Sequence, residues 1–266
     1  MLTRRAMLLA LAAAGCVRRA AFTVARAPAG ATTLPLQFVG TLPTVPVVVA
    51  GRTIDVLLDL GGFDTLSLSP ALGRQLARPT GNTRMFRTAR GDALVARELV
   101  LPDVRIGDVV LHDVRGYEHV FARDFPPPVE AGYLGRGILD RFALAIDYPA
   151  RSVAIARSRA ELAASPGRRW SIVPFSSSDS GAVVSASLDG RMHELLLDTG
   201  ATSSFMRQPY RARDLRIGGV SLGPLDFEPL DLSVPDADGL LGASFFAPRR
   251  VLVDFPAAVI GLEVPD

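Results

Sequence analysis

Cysteine is almost missing and lysine is entirely missing from this sequence of 266 residues. The single cysteine, Cys16, excludes an internal disulfide. All 29 basic residues are arginine, and 27 acidic residues leave a formal net charge of only +2. No basic run is interleaved with aromatic residues, so we expect no nucleic-acid partner. The three histidines lack metal-ligand spacing, and we expect neither a metal nor any other cofactor.

The first 16 residues have the pattern of an export signal. Arg4 and Arg5 precede an apolar run, 7–14, that is too short to span a bilayer and ends at Gly15-Cys16. The start is similar to a twin-arginine signal. Residues 13–16 are similar to a bacterial lipobox with alanine in place of the usual leucine. We therefore expect a protein exported to the periplasm of a bacterium, or anchored to its membrane as a lipoprotein through Cys16. A stray thiol in a discarded signal is the alternative.

The rest of the chain has the composition of a globular protein with short strands. Hydrophobic residues make up 48%, which supplies the core of two domain-sized lobes, and 24 glycines and 20 prolines indicate many turns. We predict the following organisation: signal peptide 1–16, tether 17–33, N-terminal lobe 34–157, linker 158–170 and C-terminal lobe 171–266.

Segments of the first half recur in the second half in the same order. The longest pair begins with Gly-Arg, has an acid eight residues after that glycine, and has another glycine two residues after the acid. Only the loop lengths between the segments differ, which predicts an internal duplication. The pairs are 51–62 with 190–201, 104–109 with 215–220, 132–135 with 239–242, and 146–149 with 253–256.

The repeated acid, Asp59 or Asp198, directly follows an apolar run in each half. A buried strand thus delivers a carboxylate to its end, and the glycine that follows lets the backbone turn sharply. Two such carboxylates at a lobe interface cannot both ionise easily, so they share a proton. The ionised partner can then accept a proton from water while the protonated partner donates one to a scissile carbonyl oxygen.

The sequence Asp198-Thr199-Gly200-Ala201, followed by Gly-Leu-Leu-Gly at 239–242 and Val-Asp-Phe at 253–255, resembles the aspartic proteases, both pepsin-like and retroviral-like. The resemblance covers most of 34–157 and 171–266. It implies a mostly β fold of two pseudo-symmetric β-barrel lobes with a cleft between them. It also implies an endopeptidase that acts on peptides or unfolded proteins. Because the duplication supplies both acids from one chain, we expect a monomer. An additional hairpin of lobe 1, about 78–101, would be the flap.

The resemblance also assigns site residues. Asp59 and Asp198 would be catalytic. The supporting residues of the catalytic loops would be Gly61, Gly62, Thr199, Gly200, Ala201 and Thr202. The segments that cross behind these loops would contribute Leu134, Gly135, Leu241 and Gly242.

Lobe 1 departs from the family at two positions. It has Leu60 where the family has a threonine whose hydroxyl braces the two loops, and Gly62 where the family has a small polar residue. The nearby Asp64 could replace the missing polar support. Three alternatives stay open: an active endopeptidase, a catalytically impaired peptide-binding envelope protein of the same fold, and an unrelated β-rich lipoprotein.

Overall fold

The computed structural model describes residues 22–264 apart from 28–29, 63, 88–90, 92, 119–130, 163–168 and 179–180. The predicted signal peptide, with Cys16, lies outside these residues. The described part consists mainly of strands, with four short helices.

The first half contains twelve strands and two helices in its described part: β1 (Thr23–Arg26), β2 (Thr32–Pro35), β3 (Gln37–Val39), β4 (Leu42–Val49), β5 (Arg52–Leu58), β6 (Leu66–Leu68), α1 (Pro70–Leu76), β7 (Arg78–Arg87), β8 (Ala93–Ile106), β9 (Val109–Glu118), β10 (Gly132–Leu134), α2 (Arg136–Leu139), β11 (Ala143–Asp147) and β12 (Ser152–Ala156). The described part that follows contains α3 (Arg159–Leu162), β13 (Arg169–Pro174), β14 (Ser176–Ser177), β15 (Ala182–Leu188), β16 (Arg191–Leu197), β17 (Ser204–Met206), β18 (Tyr210–Ala212), β19 (Leu215–Ile217), β20 (Val220–Ser221), β21 (Leu225–Pro229), β22 (Gly239–Leu241), α4 (Ala243–Phe246), β23 (Arg250–Asp254) and β24 (Val259–Val264).

Three sheets organise these strands. The N-terminal lobe contains a nine-stranded sheet in the order β1-β9-β6-β10-β5-β4-β8-β7, with β3 beside β4. The C-terminal lobe contains another nine-stranded sheet, β18-β21-β17-β22-β16-β15-β19-β20, with β14 beside β15. A six-stranded sheet, β13-β24-β23-β11-β12-β2, combines strands of both lobes. The expectation of a mostly β, two-lobed fold is confirmed.

Matching hairpins begin the central part of each lobe sheet. The turn between β4 and β5 has φ values of 48° at Ala50 and 81° at Gly51, and the turn between β15 and β16 has 49° at Asp189 and 88° at Gly190. Two consecutive positive φ values are typical of a tight hairpin turn whose twist matches that of the strands. The second strand of each hairpin becomes fully buried toward its end, directly before the repeated acid.

The segment predicted as a tether, 17–33, contains strands in its described part. β1 pairs antiparallel with β9, with Thr23 opposite His112, and β2 pairs with β12, with Leu34 opposite Val153. The side chains of β1 are all exposed, so the hydrophobic pattern carries no strand signal there. The backbone groups along the edge of β9 supply the hydrogen bonds that order this strand.

The close passage of the chain behind the second acid loop predicts that Gly242→Ala destabilises the protein. A Cβ at this position would collide with the carbonyl oxygen of Ser203 and lie 2.9 Å from the Cβ of Ala201. We expect the free energy of unfolding, measured by urea denaturation, to fall by at least about 2 kcal/mol. Gly30→Ala is the control, because a Cβ there meets no atom within 4 Å. Equal effects of the two changes would contradict the prediction.

Candidate active site

Each acid leaves the end of a buried strand and is fixed there by the neighbouring parallel strand. The amide of Asp59 donates a hydrogen bond to the carbonyl of Leu134 at 3.0 Å, and the amide of Asp198 donates to Leu241, also at 3.0 Å. These bonds continue the parallel pairings of β5 with β10 and of β16 with β22. The structure therefore places both predicted crossing leucines directly beside the acids, at equivalent positions.

The residues that follow these leucines support the loops from behind. The amide of Arg136 donates to the carbonyl of Gly62 at 2.7 Å, and the amide of Ala243 donates to the carbonyl of Ala201 at 3.0 Å. A Cβ on Gly135 would lie 2.7 Å from the carbonyl oxygen of Gly62. A glycine is thus required before each short helix, because the crossing segment touches the acid loop.

The two carboxyl groups lie close together at the interface of the lobes, where each affects the pKa of the other. The glycine of each loop faces the carboxyl group of the other. A Cβ on Gly61 would lie 2.6 Å from Oδ1 of Asp198, and a Cβ on Gly200 would lie 2.6 Å from Oδ1 of Asp59. No other residue type leaves room for this approach.

Backbone amides orient the two carboxyl groups. Gly61 and Gly62 each donate to Oδ1 of Asp59 at 2.9 Å. Gly200 donates to Oδ1 of Asp198 at 2.9 Å. In each loop, the Oδ1 atom of the acid thus accepts hydrogen bonds from backbone amides of the same loop.

Burial raises the pKa values of both carboxyl groups of this pair. Burial is the largest cause of the raised pKa of Asp59, and the charge of Asp198 raises it further, against the opposing effect of the Gly61 and Gly62 amides. Burial also raises the pKa of Asp198, although less, because hydrogen bonds from Gly200, Asp59 and Ala201 oppose it. The pair therefore titrates as a unit and holds one proton well above the range of a free carboxyl group.

Only one of the two bracing hydroxyl groups is present. The hydroxyl of Thr199 accepts a hydrogen bond from the amide of Leu60 at 3.0 Å and donates one to the carbonyl of Leu58 at 2.6 Å. Leu60, at the equivalent position of lobe 1, is fully buried and has no hydroxyl to reciprocate. Thr202 is exposed, and its carbonyl accepts a hydrogen bond from the hydroxyl of Thr41. It therefore connects the lobes through its backbone.

The sequence analysis missed Tyr133, whose ring lies beside the loop of Asp59. The Tyr133 hydroxyl donates a hydrogen bond to Oδ2 of Asp64, which also accepts one from the Ser67 hydroxyl at 2.8 Å. Asp64 is 2% exposed. A signal was available, because lobe 2 has Leu240 at the position equivalent to Tyr133.

The predicted flap is a long antiparallel hairpin of β7 and β8 that reaches the other lobe. Near its base Arg78 lies opposite Val100, and near its tip Arg87 lies opposite Ala93. A Cβ on Gly91, which lies between the strands, would be 2.6 Å from Oγ of Ser233 in the C-terminal lobe. The hairpin thus extends from one lobe to the other.

The described residues contain no group of three or more side chains suited to hold a metal ion. None of their helices is both long and apolar enough to cross a membrane.

The comparisons with known proteins agree with this geometry. A family model described as aspartyl protease matches residues 45–138, which include the Asp59 loop, the predicted flap and the first predicted crossing segment. The family model and the fold both agree with the resemblance to the aspartic proteases. The fold is similar to that of the aspartic proteinase from Irpex lacteus, at 13% sequence identity and a TM-score of 0.64, over 89% of this chain and 98% of that one. No curated protein matches the sequence.

These findings confirm the aspartic-protease resemblance and support a peptidase-like function. The matched range includes both departures of lobe 1, Leu60 and Gly62. The bacterial origin, the internal duplication and the catalytic roles remain predictions.

The raised pKa values of Asp59 and Asp198 predict that the protein loses stability as the pH rises from about 4 toward 8. Folded carboxyl groups with pKa values above the ordinary 3.8 bind more protons than unfolded ones in this range. The free energy of unfolding therefore falls as the pH increases. Asp198→Asn should flatten this slope and stabilise the protein at pH 7 by at least about 1 kcal/mol, measured by urea denaturation.

The control for this series is Asp226→Asn, which changes an aspartate whose side chain is 70% exposed. We expect it to retain the wild-type slope. A wild-type free energy of unfolding that rises between pH 5 and pH 8 would contradict the prediction.

Proposed function

We propose that this protein is an aspartic endopeptidase that hydrolyses peptide bonds through a water molecule activated by Asp59 and Asp198. The observation that carries the proposal is the close approach of the two acid loops, with the glycine of each loop against the carboxyl group of the other. The family match and the fold favour the same chemistry.

The proposed reaction needs only the pair and one water molecule. The ionised carboxylate accepts a proton from the water as its oxygen attacks the scissile carbonyl carbon, while the protonated partner donates its proton to the carbonyl oxygen. The tetrahedral diol then collapses, the C–N bond breaks, and the leaving nitrogen takes a proton from the pair. The amides of Gly61, Gly62 and Gly200 keep the carboxyl groups oriented throughout.

An extended peptide or an unfolded protein segment fits this architecture as the substrate. Strand-like main-chain hydrogen bonds would hold it in the cleft, and the hairpin of β7 and β8 would cover it. The proximity of Gly91 to Ser233 supports a covering role for the hairpin, since the hairpin already extends from one lobe to the other.

Export is part of the proposal. The arginine pair and the short apolar run support passage out of the cytoplasm, and the position of Cys16 supports lipid anchoring in the periplasm. The two acids come from one chain, so that a monomer suffices.

Cleavage of an unfolded protein between pH 3 and 7 tests the proposal. We expect wild-type cleavage to be highest at acid pH, and Asp59→Asn and Asp198→Asn each to lower kcat by at least about 10³-fold, because each removes one partner of the shared proton. Pepstatin should inhibit the wild-type protein. Loss of activity in Asp198→Asn alone would contradict the two-acid mechanism. Absence of cleavage by the folded wild-type chain would favour the impaired, peptide-binding alternative, to which the one-sided brace at Leu60 gives some support.

Leu60→Thr tests whether the missing brace limits catalysis. By the pseudo-symmetry of the loops, the new hydroxyl would lie near the backbone of Leu197 and Thr199 and complete the second half of the brace. We expect kcat to rise about threefold to tenfold because the carboxyl geometry tightens. Leu60→Val is the matched control, since it has the shape of threonine without the hydroxyl. If both variants behave alike, the brace does not limit the rate.

A further inference from the structure

Gly62 and Tyr133 fit each other beside Asp59. A Cβ on Gly62 would lie 2.8 Å from Cε2 of Tyr133 and 2.8 Å from Oδ2 of Asp59. The ring edge and the carboxyl group therefore converge on the place that a side chain at residue 62 would occupy. Lobe 2 has Ala201 and Leu240 at the equivalent positions. Compared with lobe 2, lobe 1 therefore has a smaller residue in the loop and a larger residue in the crossing strand.

The ring of Tyr133 is anchored at its far end. Its hydroxyl and that of Ser67 both donate to Oδ2 of Asp64, whereas Oδ1 of Asp64 is buried with no hydrogen-bond partner among the described residues. Burial raises the pKa of Asp64, against the opposing effect of these two hydroxyls and of the charge of Arg84. An apolar side chain would avoid the cost of burying this carboxyl group, so its presence requires an explanation.

Several charged or titratable groups surround the two acids. Asp198 faces Asp59 from the opposite loop, and Tyr133 faces it from β10. Asp64 lies behind Tyr133, where the charge of Arg84 opposes the effect of burial on the Asp64 pKa, and burial and the charge of Asp198 raise the pKa of Tyr148. The Tyr133 side chain connects Asp64 with Asp59, because its hydroxyl is bonded to Asp64 and its ring edge lies beside the Asp59 loop.

We propose that Tyr133, held by Asp64, is a positioning residue for Asp59. Its ring edge replaces the side chain that lobe 1 lacks at Gly62, confines the carboxyl group and excludes water from one side of it. The inference rests on the proposed function for its catalytic consequence, but its geometry is independent of catalysis.

The first experiment compares the pH profiles of kcat for Tyr133→Leu and Tyr133→Phe. Removal of the ring admits water to Asp59, whose pKa then falls, so Tyr133→Leu should move the upper limb of the profile down by at least about 0.5 pH unit. Tyr133→Phe retains the ring and should retain the limb. It should lower kcat about threefold to tenfold at unchanged KM, because the ring loses its anchor. A profile that Tyr133→Leu leaves in place would overturn the inference.

The second experiment tests the fit between the two residues. Gly62→Ser alone should lower kcat at least about tenfold, since its side chain collides with the ring and with Asp59. Gly62→Ser/Tyr133→Leu should recover part of this loss, because the leucine removes the collision with the ring and gives the serine and the Asp59 carboxyl group room to shift apart. Near-native circular dichroism of each variant excludes a folding defect. A double variant no more active than Gly62→Ser would count against the fit.

Urea denaturation across pH 4 to 8 separates this inference from the proposed function. The slope of stability against pH reports the carboxyl pair without any catalysis. If the wild-type chain cleaves nothing but Tyr133→Leu still flattens the slope, the proposed function fails and the positioning role stands. If the wild-type chain is active and Tyr133→Leu changes neither slope nor profile, only the positioning role fails.

Discussion

The rest of this structure depends on the contact between the two acid loops, each of which has a glycine where it meets the other. Gly61 lies against the carboxyl group of Asp198, and Gly200 lies against that of Asp59. The two acids are therefore close neighbours and share a proton, since two buried carboxylates so close together cannot both be ionised easily. The same contact that makes the chemistry available therefore makes the folded protein less stable as the pH rises. Strands, crossing segments and amides serve to hold this unfavourable pair in place.

The two lobes hold their acids by different means. Lobe 2 contributes a threonine brace, through Thr199, and lobe 1 buries Leu60 at the corresponding position. Lobe 1 instead has an aromatic ring against its loop, fixed by a buried carboxyl group. In this view lobe 1 has not simply lost polar support: steric confinement by Tyr133 takes over from hydrogen bonding by a residue at 62. The two acids of this site are thus equivalent in position, whereas the groups that support them differ between the lobes.

The acids, their glycines and the crossing leucines could be predicted from the sequence because they recur at matched spacings. The turns at Gly51 and Gly190 and the long flap hairpin followed from local residue chemistry in the same way. The difference between Tyr133 and Leu240 marked this position in the sequence, but the contact of Tyr133 with the Asp59 loop could not be predicted, since it depends on the pairing of β10 with β5, two strands far apart in the sequence. β1 was missed because its hydrogen-bond partners lie on β9 and its exposed residues have no hydrophobic pattern. Local signals thus identified the two candidate acids, and tertiary packing determined what supports them.

The six-stranded sheet explains how the site could tolerate the loss of one brace. β11 of the first lobe pairs directly with β23 of the second, from Ala143 opposite Asp254 to Asp147 opposite Arg250. The last pair is also an ion pair at 3.6 Å, with the Trp170 ring 5.4 Å from the Arg250 guanidinium. A continuous set of backbone hydrogen bonds therefore fixes the orientation of one lobe against the other. The Thr199 hydroxyl therefore has only to fix the positions of the two acid loops relative to each other. One such hydroxyl can suffice for the fold, even where a second would improve the alignment of the acids.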